Sequence, residues 1–220
     1  HGGFIEWAHS AFLLDAIALL RDADARRAHW TEADDRVFRD WWQRCELDVA
    51  SPEAKAAREM VNNHGSWYDV TWSAVASFNG NWTGASAAAH ELNQRRIAYQ
   101  ILPNGSEWIE LQRNVPSSYC QYNVLALSQG ADIAASNADA GAADVWSFAT
   151  ADGRSLRRAI DWLLPFATGA KPWPYPQPDP PDWMSFLQTL RRASVTLSNR
   201  SYEEAACTLM RQAGRTHEYR

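Results

Sequence analysis

Two short strings in this 220-residue chain gather side chains able to move protons and hold an anion. The first, Asn62-Asn63-His64-Gly65-Ser66-Trp67-Tyr68-Asp69, packs two amides, an imidazole and two aromatic rings into a helix-start context, where Gly65 and Ser66 suit a tight approach. The second, Glu110-Leu111-Gln112-Arg113-Asn114-Val115-Pro116-Ser117-Ser118-Tyr119, sets a loop arginine ahead of a tyrosine at the start of another helix. Each string alone has an ordinary reading: His64 as a satisfied structural histidine, Arg113 as a partner of Glu110, Tyr119 as a core plug. Together, Asn, His, Arg and Tyr are the set needed to eliminate a 4-O-linked sugar from a uronate.

The C5 proton of a uronate is feebly acidic because its removal places a second negative charge beside the carboxylate. That carboxylate has to be neutralised first. A guanidinium can pair with it, and an amide or imidazole N–H can hydrogen-bond the developing enolate as an oxyanion hole does. A base then takes the C5 proton and an acid protonates the leaving O4. A tyrosine, which ordinarily ionises near pH 10, serves as either when positive charge lies beside it. The scheme needs neither a metal nor a cofactor.

Those strings sit within a pattern of helices. Apolar residues recur at helical spacing in Phe4, Ala8, Phe12, Ile17 and Leu20, and again in Val37, Trp41, Trp42, Cys45 and Val49. Thr31 and Asp34 read as the capping box of the second helix, and Pro52 suits the first turn of a third running toward Met60. Trp67 to Phe78 and Thr83 to Ala98 predict a helical hairpin turning at Asn79-Gly80-Asn81. Pro103-Asn104-Gly105-Ser106 is a turn, and Trp108-Ile109-Glu110-Leu111 reads as a short strand or extended arm. Helices are predicted again over Ser118–Ser136, Ser155–Phe166, Trp183–Ala193 and Tyr202–Ala213, with the proline-rich 171–181 as an extended surface connection. Successive antiparallel hairpins make the chain all-α, stacked in a curve or closed in a ring.

Composition bounds the partners. The net charge of −5, from 21 Lys and Arg against 26 Asp and Glu without a basic block, gives no nucleic-acid footprint. The longest apolar candidate, Ala11–Leu20, is interrupted by Asp15 and falls short of the roughly 18 residues a membrane span needs, so the chain reads as soluble. Cys45, Cys120 and Cys207 are too few and too dispersed for a disulfide scaffold or zinc site and read as buried thiols. Sequons at Asn81, Asn104 and Asn199 lean toward a secreted protein.

The run Asn63-His64-Gly65-Ser66-Trp67-Tyr68-Asp69-Val70, followed by Arg96-Ile97, Gln100-Ile101, Pro103-Asn104-Gly105-Ser106, Glu110-Leu111, Arg113 and Tyr119, resembles the alginate-lyase superfamily. The likeness is dense from about Asn62 to Leu127. It implies an (α/α) toroid and lyase action on mannuronate- or glucuronate-containing polymers, alginate or glucuronan, with an anionic polysaccharide as partner. Carried over by position, Asn63 and Arg113 neutralise the substrate carboxylate, His64 is the base or an enolate partner, and Tyr119 is the acid. In a syn elimination Tyr119 performs both proton transfers, whereas in an anti elimination His64 takes the proton. Trp67, Tyr68 and Trp108 are candidate sugar platforms, and Arg96 and Gln100 candidate hydrogen-bond donors to substrate.

The sequence also departs from that pattern. Ser118 stands where the superfamily commonly has a His before the catalytic Tyr, and Asn114-Val115-Pro116 replaces a Thr- and Ser-containing loop, which bears on subsite preference. Similar enzymes carry further toroid helices ahead of the region resembling Gly2–Leu20. The expectation is therefore one domain over residues 1–220 forming a shortened or incomplete toroid, completed by an N-terminal segment or a second chain. Two rival readings remain. A copper site built on His1 would belong with a β-sandwich, which the helical pattern disfavours; a non-catalytic carbohydrate-binding or partner subunit would place no demand on Tyr119.

Overall fold

The computed structural model of the protein describes residues 5–23, 30–49 and 51–217. His1, Gly2 and Phe4, named above, lie outside them. Among the described residues the chain is all-α, with one isolated antiparallel bridge, Ile101 to Glu107, and no strand.

A 3₁₀ turn, Ile5–His9, leads into α1 (Ser10–Ala23). The capping box forms as expected ahead of α2 (Glu32–Val49): Asp34 N donates to Thr31 Oγ1 at 3.2 Å and Thr31 N to Asp34 Oδ2 at 3.0 Å. Ser51 caps α3 (Pro52–Glu59), with Pro52 in its first turn. Next comes α4 (Asn63–Asn79), which starts four residues before the predicted Trp67 because Asn62 caps it by accepting from His64 N at 3.1 Å. That placement puts His64 in the first helical turn. Gly80, at φ 75°, ends α4 in the left-handed conformation that glycine adopts without cost, and the chain reverses into α5 (Trp82–Glu91).

The expected single helix 83–98 is instead three pieces. α5 runs into a π-helical stretch, Leu92–Ile97, and then into α6 (Ala98–Gln100). Along this stretch Leu92, Asn93, Arg96, Ile97 and Gln100 are all buried, so core and polar side chains face inward together. The extended arm expected at Trp108–Leu111 is also corrected. Leu102 N donates to Ser106 O, the turn closes at once, and Glu110–Gln112 is a 3₁₀ turn. Gly105 is required there: a Cβ would lie 2.3 Å from Arg158 O.

The remaining helices are α7 (Pro116–Ser136), α8 (Leu156–Ala167), α9 (Phe186–Thr196) and α10 (Arg200–His217). α4 is the hub, packed by α1, α2, α3, α5 and α7, while α7 also meets α8 and α9, and α9 pairs with α10. The core between them holds Trp42, Trp67, Val70, Leu92, Ile97, Val124, Leu127, Ile160, Phe186 and Leu190. Each such side chain contributes roughly 1.5–3 kcal/mol by leaving water.

The proline-rich connection is more than a surface link. Trp173 packs edge-on against Trp162, Phe166 and Trp183, and Gln177 Oε1 accepts from Ser117 N at 3.2 Å, so the strap is tied to the start of α7. Gln121 adds to this, donating to Asp182 O at 2.7 Å and accepting from Phe186 N at 3.1 Å. Cys45 and Cys120 are buried and Cys207 is half-buried; none forms a disulfide.

Candidate active site

The first turns of α4 and α7 and the loop between Glu110 and Pro116 bring the predicted chemistry together. Asn63 is buried at the start of α4, and three hydrogen bonds tie it to Glu110. Its backbone N–H donates to Glu110 Oε1 at 2.6 Å, and its Nδ2 lies 3.0 and 3.1 Å from the two carboxylate oxygens. Arg113, just past the 3₁₀ turn, holds its Nη1 3.9 Å from Glu110 Oε2 and its guanidinium carbon 3.9 Å from the centre of the Tyr119 ring. That is close cation–π stacking, and it sets a positive charge against the ring whose oxygen would exchange a proton. Tyr119 is partly exposed in the first turn of α7, its N–H donating to Val115 O at 3.2 Å.

His64 is half-buried beside this group. Desolvation first, and then the Arg113 charge, hold its pKa below the usual 6.5, so the imidazole is neutral at pH 7 and able to accept a proton. Asn63, Arg113 and Tyr119 are thus linked through Glu110 and the cation–π contact, with His64 near enough to Arg113 to feel its charge. Glu110 is itself buried, and desolvation raises its pKa while its Asn63 bonds and Arg113 pull the other way.

The other expected substrate contacts are placed differently. Arg96 is fully buried: Nε donates to Asp69 Oδ2 at 2.6 Å, and Nη1 and Nη2 donate to Met60 O and Arg58 O, each at 2.8 Å. All its donor edges face protein, so it serves to fasten the end of α3 to α4. Gly65 permits this, since a Cβ there would lie 2.4 Å from Arg96 Nη1 and 2.1 Å from Met60 O. Burial raises Asp69 to about 6 even with Arg96 beside it.

Gln100 is likewise enclosed, accepting from Ser66 Oγ at 3.1 Å and from Asn123 Nδ2 at 2.8 Å while donating to Asn62 O at 3.3 Å. Trp67 lies in the core against Tyr122, 4.9 Å between ring centres. Tyr68 sits in a second small core with its hydroxyl donating to Val49 O at 3.0 Å. These four side chains present no face to a polymer, because each is buried and its polar or aromatic surface is taken up by protein. Trp108 differs: half-buried, it stacks edge-on with exposed Tyr99 at 5.8 Å and donates Nε1 to Tyr99 O.

Sequence reasoning missed the buried acids behind the site. Glu110 reads from the sequence as an ordinary partner for Arg113 and as part of the resembling run, without a role of its own, and Glu107 carries no reading. Glu107 accepts from Asn123 Nδ2 at 2.6 Å, and burial pushes its carboxyl well above the usual range. The Glu107-x-x-Glu110-x-x-Arg113 spacing was the available signal, since residues three apart share one side of a tight turn. Among the described residues no three His, Cys, Asp or Glu side chains are grouped to hold a metal ion. None of the described helices is long and apolar enough to cross a membrane.

The sequence profile of the alginate lyase family matches residues 1–173. Among solved structures, the chain is similar to that of an alginate lyase from Bacteroides ovatus, with a TM-score of 0.82 and 27% identity over 94% of this chain and 54% of that one. This chain therefore spans about half the length of that relative. No curated protein matches its sequence.

Proposed function

Because the chain belongs to the alginate lyase family, we propose that it carries the catalytic groups of a polysaccharide lyase cleaving 4-O-linked uronic-acid polymers by β-elimination. The observation that carries this reading is the Arg113 guanidinium held between Tyr119 and the Glu110–Asn63 pair, with neutral His64 alongside. The substrate carboxylate pairs with Arg113 and Asn63, which withdraw charge from C5. His64 or Tyr119 removes the C5 proton, according to the epimer, and Tyr119 protonates the departing O4. The bond between C4 and O4 breaks as the double bond between C4 and C5 forms, leaving an unsaturated uronate at the new end.

The substrate class is a mannuronate or glucuronate polymer, alginate or glucuronan, with exposed Tyr99 and the half-buried Trp108 against it as an aromatic pair suited to sugar stacking. A secreted protein acting on an extracellular polysaccharide fits the three sequons; Asn81 and Asn104 are both exposed, and each side-chain oxygen accepts a local hydrogen bond, from Gly84 N and from Ser106 N. Incubation with polymannuronate, polyguluronate, alginate and polyglucuronate is expected to raise ultraviolet absorbance as unsaturated ends accumulate. A correctly folded protein silent toward the whole panel would end the lyase reading.

A further inference from the structure

Both groups assigned to the substrate carboxylate already face a carboxylate of the protein. Asn63 gives Glu110 its backbone N–H and its amide, and Arg113 leans toward the same side chain at 3.9 Å. Glu110 sits, from inside the fold, where it engages the recognition pair that a uronate would engage from outside. It is 1% exposed, so water does little to screen it from a second anion.

We propose that Glu110 is the positioning residue of the carboxylate-binding pair, and that binding of a uronate is coupled to uptake of one proton from solvent by Glu110. In the free protein the ionised carboxylate holds Asn63 and Arg113 in register. An arriving uronate carboxylate takes Arg113 as its counter-ion and stands close to Glu110, so two like charges share one cation. Such a pair resolves by protonation of the more buried member. Protonated Glu110 still accepts from Asn63 N through its carbonyl oxygen, so the amide stays in place. This inference rests on the uronan reading of the site.

The groups around Glu110 are few. Burial favours its protonation, whereas the Asn63 hydrogen bonds and Arg113 oppose it; Glu107 is itself buried and held well above its ordinary range by that burial, with the Glu110 charge adding to the rise. Cys120 of α7 is buried nearby with its thiol pushed up and contributes no charge at pH 7. Asn63 of α4 is neutral. His64, the next residue, is the other group able to gain a proton when an anion binds near Arg113, so the test must separate the two.

Calorimetric titration of the full chain carrying Tyr119→Phe, which suppresses turnover, with saturated trimannuronate and triglucuronate at pH 7 in phosphate and in Tris gives the proton count from the difference in heat between buffers. The expected result is about one proton taken up per oligomer bound, with the Kd weakening by up to roughly tenfold per pH unit where Glu110 is ionised when free and protonated when bound. Adding Glu110→Gln, which keeps the shape and an acceptor for Asn63 N, is expected to abolish both the uptake and the pH slope. Binding without proton uptake, or uptake that persists in Glu110→Gln and so belongs to His64, overturns the inference and leaves the lyase reading standing. Absence of binding by either oligomer overturns the uronan reading and this inference with it. Should Glu110→Gln fail to fold, the proton count of the His64→Gln, Tyr119→Phe protein decides, since uptake by Glu110 survives loss of His64.

Discussion

Residues 62–69 form one motif in the sequence but two regions in the molecule. Asn63, buried, bonds Glu110 of the loop that carries Arg113, and His64 beside it is partly exposed, whereas Trp67, Tyr68 and Asp69, a turn further along α4, are buried among α3, α7 and the π-helical stretch. The same split divides the later strings: Arg113 and Tyr119 are partly exposed, Arg96 and Gln100 are enclosed. Most of the residues that make the motif recognisable hold the helix start in place, and few are positioned to touch a polymer. A helix buried on nearly every side, as α4 is, has to satisfy its polar residues internally, and Arg96–Asp69 and Gln100–Ser66–Asn123 are how it does so.

The largest effect is expected at Arg96. Arg96→Ala leaves Asp69 buried without its partner and strips Met60 O and Arg58 O of donors, so the expected loss is about 3–5 kcal/mol of stability, a fall in Tm of roughly 6–20 °C by thermal denaturation. If Arg96→Ala kept the wild-type Tm and instead raised only KM, the side chain would belong with the substrate contacts after all. Tyr119→Phe tests the other region. It keeps the ring under Arg113 and removes the proton, and kcat is expected to fall by about 10²–10⁴ with Tm unchanged; undiminished turnover would take Tyr119 out of the proton transfers.

A subtler effect concerns pH. Burial and Arg113 keep His64 below its ordinary 6.5, so the neutral base persists as the solution is acidified past that value. The acid limb of kcat/KM is therefore expected below pH 6.5, and His64 contributes no destabilisation to the fold above it. As pH falls from 6.5 toward the depressed folded value, the unfolded chain binds the proton first and stability declines. A limb above pH 6.5, or one unmoved in His64→Gln, would assign the titration elsewhere.

Helical periodicity, the Thr31–Asp34 box, Ser51–Pro52 and the Gly80 turn are local features, and local physics is enough to read them: side-chain spacing, caps and a left-handed residue act within a few positions of themselves. The identities of the proposed reacting groups were legible for a related reason, since Asn, His, Arg and Tyr bring their chemistry with them. Tertiary structure decided what those side chains face. Arg96, 27 residues from Asp69, reads as a substrate contact from the sequence because a guanidinium in a motif looks the same whether its partner is a sugar or a buried carboxylate. Glu110, 47 residues from Asn63, is inconspicuous in the sequence because its importance lies in the bonds it accepts across that gap. Residue spacing and type are enough to place most of the helices and to name the functional groups present, the break at Leu92–Ile97 and the 3₁₀ turn at Glu110–Gln112 excepted; the packing of α3, α4, α7 and the π-helical stretch sets which groups are exhausted inside the protein and which remain to meet a ligand, because burial and hydrogen-bond saturation are properties of contacts between distant segments.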